Sequence, residues 1–201
     1  MDEISNIELA KKGDLFAFNE LVLQYQQPVY NLCLRMVIDE SSAEDIAQDT
    51  FISAFENINT FRGGSFKNWL LRLAANRCID ELRRIKRRPQ VALEPISKDG
   101  DEMDDPAWLR DDRHDPAIEM ERKELVDLIQ RCMLELSDEH RLVLILVDVF
   151  EMDYQEASSV ISKPLGTLKS RLTRARDAIK KCLLSLAELY PDLARYKRES
   201  V

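Results

Sequence analysis

The sequence predicts an all-α protein: two small helical domains joined by a flexible acidic linker. Three observations carry this. Apolar residues recur at spacings of three and four through most of the 201 residues, the period of a helix with one buried side. Glycine is scarce, at five, and no long β-branched alternation marks a strand. Residues 89–119 hold Pro89, Pro95, Pro106 and Pro116, run acidic and lack helical periodicity, as a linker does. With 45% apolar and 33% charged residues, the chain fits a soluble, helix-rich protein.

Taken in order, Ile4 to Lys12 reads as a short helix closed by Gly13. Asp14 is placed to cap the next, AFNELVLQYQQPVYNLCLRMV, which Pro28 is expected to break or bend near Gln26. Ser41 or Ser42 can cap AEDIAQDTFISAFENI. On that helix Ile46, Ala47, Thr50, Phe51, Ala54, Phe55 and Ile58 form a broad buried side. Opposite lie Asp45, Gln48, Asp49 and Glu56, with Ile52 among them. Two readings stand: a solvated face with one stray isoleucine, or a docking spot with an apolar centre and a charged rim.

The stretch from Phe61 to Arg88, FRGGSFKNWLLRLAANRCIDELRRIKRR, organises the first domain. Gly63-Gly64 is a hinge and Ser65 a helix cap. Phe66, Leu70, Leu73, Ala74 and Arg77 share one side; Trp69, Arg72, Asn76, Asp80 and Arg83 share another. The second stripe suits single-stranded nucleic acid, with Trp69 and Phe61 as stacking surfaces, worth roughly 1–3 kcal/mol per base. Asn76 can read a base edge. Arg83, Arg84, Lys86, Arg87 and Arg88 suit duplex phosphates. The plainer alternative is that Trp69 completes a core and the arginines answer the helix dipole.

Beyond the linker, in which Trp108 and Leu109 interrupt the polarity, helical patterning returns at Met120. Leu125, Leu128, Ile129, Cys132 and Met133 mark one helix, and Ser137 caps a second, DEHRLVLILVDVF, apolar nearly all round. Asp153 and Glu156 form a capping box opening YQEASSVI. Ser162-Lys163-Pro164 makes a turn, with Pro164 fitted to the first position of the last long helix. There Leu165, Leu168, Leu172, Ala175 and Ile179 form an apolar seam; Thr167, Ser170, Thr173 and Arg174, flanked by Lys169, Arg171 and Arg176, lie opposite. A short helix, a brief turn and a helix with a basic outer face make a helix-turn-helix, whose second helix enters the major groove. A charged helical hairpin is the alternative.

Charge supports nucleic acid once its distribution is followed. The net charge is −8. From Val91 to Glu121 there are eleven acids against three bases; Arg62 to Arg88 holds nine bases against two acids, and Lys163 to Lys181 seven against one. Two basic helices flanking an acidic connector imply nucleic-acid contacts at both ends.

Together these segments resemble bacterial sigma factors of the extracytoplasmic-function group, RNA polymerase subunits that recognise promoters. AEDIAQDTFISAF resembles the group's polymerase-binding helix, FRGGSFKNWLLRLAANRCIDELRR its promoter-melting stretch, and YQEASSVISKPLGTLKSRLTRAR its C-terminal helix-turn-helix. The resemblance spans about Ala17 to Lys181 and implies a transcription initiation factor. It places a sigma-2 domain at residues 1–88, an acidic linker at 89–119, a sigma-4 domain at 120–187 and a tail at 188–201. Asp45, Gln48, Asp49, Ile52 and Glu56 would meet core RNA polymerase. Phe61, Trp69, Arg72, Asn76, Asp80, Arg83 and Arg84 would hold the melted non-template strand of the minus-ten element. Thr167, Lys169, Ser170, Arg171, Thr173 and Arg174 would read the duplex minus-thirty-five element, and the linker would thread the polymerase's nucleic-acid channel. An anti-sigma factor is a further implied partner, and a stress or envelope-response regulon the implied output. One departure is Ser162, where the group usually has glycine; a positive φ there would carry strain.

Other classes fit the residues less well. No phosphate loop, nucleophile–base pair or metal signature is present, so neither enzyme activity nor a cofactor is expected. The acidic, amphipathic N-terminus MDEISNIELAKKGD predicts no signal peptide, and no apolar run predicts membrane insertion. Cys33, Cys78, Cys132 and Cys182 read as reduced core thiols of a cytoplasmic protein. A helix-turn-helix regulator acting without polymerase would leave the Trp69 stripe and the Ile52 face unexplained, and a purely protein-binding adaptor would not need Arg174.

Overall fold

A computed structural model describes residues 2–87, Val126 and 128–189, with side chains as far as Ser185. The linker 89–119 and the tail from residue 190 lie outside the described residues, as do Trp108, Leu109 and Leu125. The described residues are helical and contain no strand: α1 (Glu3–Lys11), α2 (Leu15–Val37), α3 (Glu40–Glu56), a 3₁₀ turn (Ile58–Thr60), α4 (Phe66–Arg87), α5 (128–135), α6 (Asp138–Leu144), α7 (Tyr154–Ile161) and α8 (Leu165–Leu189). The chain divides into two compact units, Met1–Arg87 with Ser137–Arg176, and Arg88–Leu136 with Asp177–Val201.

In the first unit α2 is the central post, packing against α1, α3 and α4. Its start is fixed by Asp14, whose Oδ1 accepts from the N–H groups of Phe16 and Ala17 at 2.9 and 3.1 Å. The helix does not break at Pro28 but runs through it. The proline leaves the Gln24 carbonyl without its usual donor; Gln24 is exposed, where water can replace the bond. α3 begins earlier than the serines suggested: Asp39 is its cap, its Oδ2 accepting from Ser42 N–H at 2.8 Å. Gly63 and Gly64 both take positive φ, at 103° and 87°, in open space. Glycine is needed there for its backbone freedom rather than for room. Ser65 Oγ then accepts from Asn68 N–H as α4 begins.

The same unit includes most of the helix-turn-helix. Ser137 caps α6 through His140 N–H. At Ile145–Val149 the helix widens into a π turn, with Phe150 N–H donating to the Ile145 carbonyl at 2.9 Å. Arg141, buried on α6, donates from Nη1 to the Met36 carbonyl of α2 at 2.6 Å. Burial pushes its guanidinium pKa down. Lys86 of α4 bonds both carboxylate oxygens of Asp138 at 2.8 Å. α6 and α7 pack against α4. Leu21, Leu32, Met36, Phe66, Leu70, Leu71, Ile145, Leu146 and Leu168 are fully buried, each worth about 1.5–3 kcal/mol.

Asp153 opens α7, its Oδ1 accepting from Gln155 and Glu156 N–H at 2.8 Å. Ser162 ends α7 in the left-handed region, at φ 52°. The strain anticipated at this position is therefore present. Pro164 sits one residue before α8, and its carbonyl accepts from Leu168 N–H at 3.1 Å. Along α8, Leu168, Leu172 and Ala175 are buried, Ile179 is half-buried, and Leu165 is exposed.

In the second unit α5 buries Leu128, Cys132 and Met133. Cys132 forms a disulfide with Cys182 of α8, with their Cα atoms 5.7 Å apart. This corrects the reading of four reduced thiols. Only Cys33 and Cys78, both buried, remain free among the cysteines.

Candidate nucleic-acid interface

All five residues expected to meet polymerase, Asp45, Gln48, Asp49, Ile52 and Glu56, are exposed on α3. Their opposite face is shut: Ala43, Ile46, Ala47, Thr50 and Ala54 are buried. Thr50 is tolerated there because its Oγ1 donates to the Ile46 carbonyl at 2.7 Å. Ile52 is 51% exposed, with acids and an amide around it. Asp49 pairs with Arg77 of α4 at 3.2 Å, in the open, where such a pair contributes little. Beside this face a groove of about 470 Å³ runs between α2 and α3, lined by Gln26, Gln27, Tyr30, Gln48 and Phe51 among others. The α2 contribution was not read from the sequence; the signal available was the polar run Gln24–Gln27 on an otherwise apolar helix.

The expected single-strand platform looks different. Phe61 and Trp69 are each only 7% exposed. With Phe66 they make a three-ring cluster: Phe61–Phe66 centroids lie 5.2 Å apart, Phe66–Trp69 5.3 Å and Phe61–Trp69 5.6 Å. Lys11 of α1 sits over the Phe61 ring at 5.9 Å. The exposure expected of both rings is thus corrected. The 3₁₀ turn returns Phe61 against α4, and burial with two other rings outweighs leaving it in water. Trp69 still borders a cleft of about 320 Å³ with Phe61, Gly63, Gly64, Asn68 and Arg72, and Ser159 of α7 closes part of it. Arg72 is half-buried beside the cleft, and Asn76 and Asp80 are exposed further along. Arg83 and Arg84 are exposed, held to acids on their own helix: Arg83 to Asp80 at 3.4 Å, Arg84 to Glu81 at 2.7 Å.

On α8, Lys169, Ser170, Thr173 and Arg174 are exposed and Thr167 is half-buried. Ser170 and Thr173 hydroxyls donate to the carbonyls of Thr167 and Lys169 at 3.0 Å. The Lys169 ammonium lies 5.9 Å from the Tyr154 ring centroid. Arg174 has no partner among the described residues. Arg171 differs: it is half-buried and ion-paired with Glu139 of α6. Arg176 makes a two-pronged bond with Asp148, which pushes its pKa up. The structure therefore separates Arg174, turned to solvent, from Arg171, engaged at home. Among the described residues no group of histidine, cysteine or acid side chains could hold a metal, and no helix is long and apolar enough to cross a membrane.

Comparison with known proteins matches the chain to two family models, Sigma-70 region 2 over residues 21–88 and Sigma-70, region 4 over residues 127–179. The chain is 35% identical over 181 residues to the ECF RNA polymerase sigma factor SigW of Bacillus subtilis, covering 90% of this chain and 96% of that one. It is 34% identical to the RNA polymerase sigma-H factor of Pseudomonas aeruginosa, covering 90% and 93%. It is 32% identical to the ECF RNA polymerase sigma-E factor of Escherichia coli, covering 86% and 90%. In fold it is similar to CnrH in complex with the cytosolic domain of CnrY, with a TM-score of 0.63 at 22% identity over 92% of this chain and 97% of that one. It is also similar to the sigma factor RpoE bound to the anti-sigma factor NepR from Bartonella quintana, with a TM-score of 0.59 at 22% identity over 83% and 96%. Two region models in the right order, and relatives matched nearly end to end, place the chain: it belongs to the extracytoplasmic-function sigma factors of the sigma-70 family.

Proposed function

We propose that this chain is a cytoplasmic, non-enzymatic specificity subunit that joins core RNA polymerase through α3 and starts transcription at a stress or envelope-response promoter set. The observation that carries this is the one-sided exposure of Asp45, Gln48, Asp49, Ile52 and Glu56, an apolar centre in a charged rim on a helix whose other face is core. Residues 1–88 act as the melting domain, 120–187 as the upstream-element domain, and 89–119 as the acidic connector in the polymerase channel. Arg174, Lys169, Ser170 and Thr173 meet duplex bases and phosphates; Thr167 and Arg171 support them. Arg72, Asn76, Asp80, Arg83 and Arg84 line the path of the unpaired strand, and a flipped base enters the cleft bounded by Trp69 and Phe61. Extruding that base costs a few kcal/mol, which ring and pocket contacts offset.

Because α7 packs on α4 and Ser159 closes part of the cleft, strand capture requires α7 to leave. Binding of core polymerase supplies that opening, so the isolated chain binds promoter DNA weakly. An anti-sigma factor that held the first unit in this arrangement would keep it silent. The test is start-site selection: added to sigma-free core polymerase, the chain should direct initiation from a subset of a randomised promoter library. Ile52→Asp should weaken core association by about 2 kcal/mol, or roughly thirtyfold, at unchanged helicity. Unchanged affinity would remove α3 from the interface.

A further inference from the structure

The described residues hold two cysteine pairs in opposite circumstances. Cys33 of α2 and Cys78 of α4 are free and fully buried. A hydrogen bond between them, together with burial, pushes the Cys78 thiol far up, so it stays protonated and inert. Cys132 of α5 and Cys182 of α8 are bridged, Cys132 buried and Cys182 half-buried. Their 5.7 Å Cα separation lies within the usual range for a disulfide, about 5.5–6 Å being commonest. The bridge spans 50 residues, and that span contains α6, α7 and every upstream-element residue from Thr167 to Arg174.

We propose that Cys132 and Cys182 form a reversible oxidation site that staples the helix-turn-helix, so that a peroxide sets how firmly the upstream-element helix is held. Its biological readout rests on the proposed sigma function. Disulfides in a reducing compartment are characteristically transient and redox-sensing. Cys182, the more exposed, reacts first. Its thiolate attacks one oxygen of hydrogen peroxide, the O–O bond breaks, and the departing hydroxide takes a proton to become water, leaving a sulfenic acid. The Cys132 thiol gives up its proton and its thiolate attacks that sulfur; the S–S bond forms, the S–O bond breaks, and the departing hydroxide takes a proton to become a second water. Two thiols are oxidised and one peroxide is reduced. A small thiol reverses the bridge by exchange. Closing so long a span restricts the unfolded chain more than the folded one.

The experiment uses the full chain, reduced and then exposed to hydrogen peroxide. Thiols are labelled with a maleimide after denaturation and the linked peptides are identified by mass spectrometry. Two of the four thiols should be lost to one intramolecular Cys132–Cys182 link, with Cys33 and Cys78 still labelled. The bridged form should melt about 10 °C or more above the reduced form. Cys182→Ser, at a half-buried position, should abolish both effects. With core polymerase near the reduced form's melting range, oxidised chain should keep initiation that depends on the upstream element while reduced chain loses it. Continued labelling of Cys132 and Cys182, a Cys33–Cys78 link instead, equal melting, or equal upstream dependence would each overturn the proposal. Failure of the reduced chain to initiate at a permissive temperature would defeat the sigma reading instead; labelling and melting need no polymerase and judge the staple separately.

Discussion

α4 and α8 are both long basic helices of 22 and 25 residues, yet they use their cations differently. On α4, Arg83 and Arg84 are tied to acids one turn back and Lys86 reaches Asp138 on α6. On α8, Arg171 and Arg176 reach back to Glu139 and Asp148, while Arg174 stands alone among the described residues. Their aromatic endowment differs too. α4 holds Trp69 in a buried ring cluster, whereas Tyr154 near α8 is exposed beneath Lys169. A positive charge on a helix is therefore not the same as an available one. The partner decides whether a side chain braces the fold or stays available.

The sharpest way to break this comparison is Trp69→Ala. A buried aromatic truncated to a methyl should cost about 3–5 kcal/mol, seen as a large drop in the denaturation midpoint. A variant that folds as well as its parent but fails at strand opening would make base contact, not packing, the larger role of Trp69. Next in size, Arg174→Ala should cost about 1–3 kcal/mol of discrimination at the upstream element while leaving the melting curve unmoved; a loss uniform across sequences would mark a phosphate contact. Its neighbour sharpens the point, since Arg171→Ala should show the reverse, a small loss of stability of about 1 kcal/mol with base preferences retained. Smallest is Ser162→Gly. Relieving a left-handed serine should add about 1 kcal/mol, raising the melting temperature by a few degrees. No gain would mean the surrounding turn has already absorbed the strain.

Much of this was legible in the residues because the signals are local. Asp14, Ser137 and Asp153 cap where their side chains reach the next turn, and the α3 outer face follows from helical period alone. Misreadings arose where a distant partner decides. Trp69 lies on the polar stripe of α4, yet contact with the Phe61 and Phe66 rings buries it. Asp39 outcompetes the serines as a cap because a carboxylate beside the helix N-terminus also meets its dipole. Pro28 is accommodated because the carbonyl it leaves without a donor belongs to exposed Gln24. The Cys132–Cys182 link joins residues 50 apart, and no spacing rule connects two lone cysteines on different helices.

The π turn at Ile145–Val149 has a consequence for anyone counting along α6. A wide turn takes in one residue more than an α turn, so everything after it is rotated about 100° from where a regular wheel would put it. Asp148 lies within that turn and meets Arg176. Shortening the segment by a single residue would swing the carboxylate off its guanidinium even if every remaining amino acid were kept. What this stretch protects is its length.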